Sequence, residues 1–70
     1  MQPDKLVRMA NQIATFFDSQ PEADKAGAVA AHLIEFWEPR MRGQMAEILR
    51  REAASGLTPL AREGAARACL

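Results

Sequence analysis

Much of what a catalytic or metal-binding chain needs is missing from these 70 residues. There is one cysteine, one histidine and no tyrosine. Cys69 is the penultimate residue and has no second cysteine to pair with, so a disulfide staple is excluded. One His and one Cys cannot supply the three or four ligands of a zinc site. No apolar run approaches the ~20 residues of a membrane span, and the N-terminus lacks the basic-then-apolar layout of a secretory signal. The expectation is a helical protein of the cytoplasm, with no membrane partner. It is one domain at most, and marginal in core size.

Acid–base and nucleophilic chemistry are equally thin. His32 has only Glu35 one turn away, and Glu35 and Glu38 both read as solvated rather than as a pair with split pKa values. Cys69 has only Arg67 nearby to lower its pKa. No glycine-rich phosphate loop follows a strand. No catalytic, cofactor-binding or metal-binding residue is therefore assigned, and an independent enzyme is not expected.

The apolar share is 49%, rich in Ala and Leu with four Met, which is a helix-former's composition. Pro3 opens a first amphipathic helix over 3–19, closed by Asp18-Ser19-Gln20-Pro21. At 100° per residue Leu6, Met9, Ala10, Ile13, Phe16 and Phe17 share a band of about 120°. A second helix spans 22–37, with Glu22 and Asp24 in its first turn. Ala26, Val29, Ala30, Leu33, Phe36 and Trp37 face one way, and Ile34 widens the band to roughly 160°. A third runs from Pro39 to about Ser55 with Met41, Met45, Ile48 and Leu49 on one stripe and a Glu47–Arg51 pair outside it. Gly56 suits a left-handed helix end, and Thr58-Pro59 restarts the chain as N-cap and first-turn proline. The last stretch has little apolar surface beyond Leu60 and alanines. The expected fold is thus all-α: a small three-helix bundle over 1–60, with a weak fourth helix whose tail, 61–70, frays or is disordered.

Charge is distributed unevenly behind a net value of zero. Residues 1–38 carry −3 and residues 39–70 carry +3, the latter from six arginines without a lysine. The simplest expectation is that the two halves fold together and neutralise each other. A helix-turn-helix nucleic-acid regulator, with 39–55 as recognition helix, is the alternative class. Against it, Arg40, Arg42, Arg50 and Arg51 point to three sides of that helix, and a nucleic-acid-binding domain is usually basic.

The chain is organised around His32…Phe36-Trp37-Glu38-Pro39-Arg40-Met41-Arg42. Pro39 ends one helix near Glu38 and opens the next, so two aromatics stand at a corner followed by Arg-Met-Arg. Such a corner either locks a hairpin or presents an anchor. Trp and Arg are enriched among binding hot spots, and Met adapts to a partner's surface. Phe36, Trp37, Pro39, Arg40, Met41 and Arg42 are the candidate partner-binding residues.

These residues, with Lys5-Leu6-Val7-Arg8-Met9-Ala10-Asn11-Gln12-Ile13…Phe16-Phe17 and Gly56-Leu57-Thr58-Pro59-Leu60, resemble the delta subunit of NAD-dependent formate dehydrogenases. The resemblance covers residues 3–60. It implies a small accessory subunit that stabilises the catalytic alpha subunit or helps its assembly and cofactor loading. It further implies that partner subunits carry the molybdenum (or tungsten) cofactor, iron–sulfur clusters and flavin. No catalytic residue carries over from it.

Overall fold

The computed structural model describes residues 2–51 and 56–70. Over these the chain forms four helices and no strand: α1 Pro3–Asp18, α2 Lys25–Phe36, α3 Pro39–Arg50 and α4 Pro59–Cys69. This is the small all-α bundle expected.

Helix starts follow local chemistry. Prolines stand in the first turn of α1, α3 and α4, where a missing N–H costs nothing. The Thr58 side chain accepts a hydrogen bond from the Ala61 N–H at 3.2 Å, capping α4. The start of α2 differs from expectation. Asp24 is its N-cap, accepting from the Gly27 N–H at 3.1 Å, and Glu22 lies outside the helix. A short carboxylate satisfies an unpaired helix-end N–H best from just outside the helix, so Asp24 sets the boundary itself. α3 ends at Arg50, with Arg51 extended; the expected continuation toward Ser55 falls on 52–55, outside the described residues.

The core joins Leu6, Ala10 and Ala14 of α1 to Val29 and Leu33 of α2. Trp37 adds to it, with Met45 and Ile48 of α3, Leu57, and Ala61 and Ala65 of α4. On α3 the expected stripe holds: Met45 and Ile48 are buried, and Met41 and Leu49 pack against them. The α1 face is rotated from its expected centre. Ala10 and Ala14 are buried, Met9, Ile13 and Phe17 lie at the margin, and Phe16 is 58% exposed. α1 touches α4 as well as α2. Its alanines therefore lie under the two neighbours, and its larger side chains are pushed to the edge. α2 is trimmed at both sides in the same way, with Ile34 and Phe36 exposed.

Residues 61–70, expected to fray for want of large apolar groups, are helical up to Cys69. Their buried face is Ala61, Gly64 and Ala65. Small residues let α4 approach α2 closely, so contact comes from proximity rather than from side-chain bulk.

Two polar clasps hold α4. Asn11 donates from Nδ2 to the Gly56 carbonyl and accepts from the Thr58 N–H through Oδ1, both at 2.9 Å. At the other end Arg67 donates to both carboxylate oxygens of Asp24, at 3.0 and 3.1 Å, and to Glu63 at 3.0 Å. The Gly27 N–H first, and then Arg67, hold the Asp24 carboxyl below its ordinary range. Gly56 does not take the left-handed conformation expected of it, since no glycine among the described residues has positive φ. Its lack of a side chain serves the approach to α1 instead: a Cβ there would stand 3.2 Å from Val7 Cγ1.

Asn11→Ala removes both bonds of the first clasp. It is expected to cost about 1–2 kcal/mol, discounted from two hydrogen bonds for solvent access. Urea unfolding with an unchanged midpoint would mean that the Asn11 clasp adds nothing to what the apolar contacts and the Arg67–Asp24 pair already supply.

Candidate protein-docking site

The α2–α3 corner is made by two extended residues, Trp37 and Glu38. Trp37 closes α2 through its N–H to the Leu33 carbonyl at 3.0 Å, then turns extended with ψ 138°. Pro39 holds the next residue, Glu38, extended as well, with ψ 152°, because the residue before a proline avoids helical geometry, and Pro39 itself starts the new helix. Phe36 and Trp37, adjacent on α2's last turn, diverge completely. Trp37 is 5% exposed and belongs to the core, whereas Phe36 is 67% exposed.

The other candidate residues divide similarly. Pro39 and Arg40 are exposed, and Met41 packs against the core. Arg42 is half-buried, with its Nε out of reach of solvent and no hydrogen-bond partner among the described residues. The corner therefore locks the hairpin through Trp37 and presents Phe36, Pro39 and Arg40 outward.

Phe36 does not stand alone. Its ring lies 4.7 Å from the His32 ring, which lies 5.9 Å from Phe17, and Phe17 meets Phe16 edge-on at 5.2 Å. His32 and Phe36 are four residues apart on α2, the spacing that stacks side chains on one face. Beside this row, Met9, Gln12, Ile13, Phe16, Phe17 and His32 line an open, mainly apolar groove of about 280 Å³ between α1 and α2. Sequence reasoning missed this groove because it assigned Met9, Ile13 and Phe16 to the core. The available signal was the position of the alanines at the other edge of the α1 band.

Reactive groups are sparse. Cys69 is half-buried, and burial pushes its thiol up against the opposing charge of Arg42. Arg67, the expected neighbour, is engaged by Asp24 and Glu63 instead. Among the described residues no three His, Cys, Asp or Glu side chains converge as metal ligands. No helix among them is long and apolar enough to cross a membrane.

The charged halves do not simply cancel. Asp24–Arg67 joins them, but Lys25–Asp18, Arg51–Glu47 and Arg67–Glu63 each lie within one half.

The quoted motifs meet in space. Asn11 of Met-Ala-Asn-Gln-Ile binds Gly56 and Thr58 of Gly-Leu-Thr-Pro-Leu, whose Leu57 is a core residue. Much of what is distinctive in the sequence thus serves the fold.

A family model described as the NADH-dependent formate dehydrogenase delta subunit FdsD matches residues 5–65, from α1 into α4. No curated protein and no solved structure matches the chain.

Proposed function

The chain belongs to the family of NADH-dependent formate dehydrogenase delta subunits, and from that membership we propose that it is a non-catalytic accessory subunit. It binds a larger subunit, the catalytic alpha subunit in the first instance, in a cytoplasmic complex. There it stabilises that subunit or helps its assembly and cofactor loading. The observation that carries this reading is the family match across nearly the whole chain. The exposed Phe36, with Pro39 and Arg40 beside it, supports a docking role for the α2–α3 corner. Trp37 and Met41 contribute from beneath by fixing the corner's shape, and the half-buried Arg42 contributes at its edge.

The molybdenum or tungsten cofactor, iron–sulfur clusters and flavin belong to the partner subunits in this reading. This chain's residues do not fit an iron–sulfur cluster: one cysteine cannot hold a cluster that takes four cysteine thiolates. No step of formate oxidation is assigned to its side chains.

Coexpression of the other formate dehydrogenase subunits with and without this chain tests the role. With it, the complex should be recovered with the chain bound and with more molybdenum or tungsten per catalytic subunit. Failure of the chain to co-purify would refute subunit membership. Equal yield and metal content without it would refute a role in stabilisation or loading.

A further inference from the structure

One face of α3 has a composition that nothing among the described residues explains. Arg40, Gly43, Glu47 and Arg50 recur at spacings of three and four, so they form one stripe along the helix, and all four are exposed. Glycine is the poorest helix former after proline, and Gly43 sits in the middle of α3. Its φ is not positive, so the backbone does not call for glycine. A Cβ built there would meet nothing within 4 Å among the described residues. Gly64 and Gly56 differ, since Val29 and Val7 occupy the space their side chains would need.

The charges on the stripe are also unspent. Arg40 and Arg50 make no ion pair with any described residue, while Glu47 faces Arg51 at 4.0 Å. The face is net positive, with two guanidinium forks free on either side of a notch. A guanidinium stays charged at any relevant pH and matches a carboxylate in a two-bond geometry.

We propose that this stripe seats an acidic helix of a larger formate dehydrogenase subunit. The partner's backbone lies over Gly43, and its carboxylates pair with Arg40 and Arg50. The inference rests on the accessory-subunit reading and assigns it a face and a partner chemistry. Charge complementarity selects this occupant. A second copy would bring the same arginines toward each other, and like charges across an interface oppose association. Arg40 belongs both to the stripe and to the α2–α3 corner, so one partner can cover both.

The test uses the full-length chain, tagged and coexpressed with the other subunits. Gly43→Leu fills the notch with a better helix former in open space, so the melting temperature should hold or rise. Its retention on the complex should nevertheless fall at least tenfold. Arg40→Glu with Arg50→Glu should lose the complex to a similar degree without loss of helical circular dichroism. The inference is overturned if wild type and all variants co-purify equally, an outcome that leaves the accessory-subunit reading standing. Absence of wild-type co-purification overturns that reading and the inference together. Unchanged complex formation, combined with arginine-dependent binding of a labelled DNA duplex or single-stranded RNA, would assign the face to nucleic acid and overturn it as well.

Discussion

Gly64→Ala is expected to destabilise the chain by about 1–3 kcal/mol, although Gly→Ala in an open helix gains about 1 kcal/mol. The reason is the contact between α4 and α2. A Cβ at position 64 would stand 2.5 Å from Val29 Cγ1, 2.6 Å from Val29 Cβ and 3.3 Å from the Ala26 carbonyl oxygen. Val29 is fully buried and β-branched, so it cannot rotate out of the way without disturbing the core. Either α4 lifts off α2 or the valine leaves its rotamer. In a domain of this size each kcal/mol lost lowers Tm by about 4–8 °C. Adding Val29→Ala should restore only part of the loss, since the residue 29 Cβ remains in the way. A Gly64→Ala chain as stable as wild type would mean that α4 can move away from α2 at no cost.

Trp37→Ala should have the larger effect, about 3–5 kcal/mol. A domain of this size holds roughly 4–10 kcal/mol in all, so much of the population would unfold. Phe36→Ala, one residue earlier, should cost about 1 kcal/mol or less. Its ring is mostly solvated and loses chiefly the stacking on His32. Urea denaturation of the two variants side by side is the measurement. Equal losses would place Phe36 in the core and remove it from the docking surface. The same pair separates folding from docking: Phe36→Ala can be assayed on the complex as a folded chain, whereas Trp37→Ala cannot.

Element boundaries were legible because they are written in backbone chemistry. Pro3, Pro39 and Pro59 mark helix starts, Thr58 caps one, and the α3 stripe follows from spacing alone. Each of these depends on residues within one turn of each other. The resemblance to the delta-subunit family was legible for a related reason, since its motifs are short and ordered along the chain. Asp24 shows the limit of such reading. Counting it into the first turn was reasonable from charge, but its side chain does more as the cap, and the helix starts at Lys25, three residues later than expected.

The sequence by itself determined three helices and the start of a fourth, their approximate ends, the family, and which side chains share a face; that the fourth runs on to Cys69 came from its packing on α2. Only the tertiary structure decided which part of each face is covered. Periodicity assigns Phe16, Ile34 and Phe36 to apolar bands as firmly as Leu6 or Leu33. Whether a band residue is buried depends on how near the neighbouring helix comes and on the size of the side chains it brings. Here α4 brings alanines and a glycine, so it comes close enough to α2 for Gly64 to lie directly on Val29. Phe16, Ile34 and Phe36 are left at the rim, whereas Leu6, Val29 and Leu33 are covered.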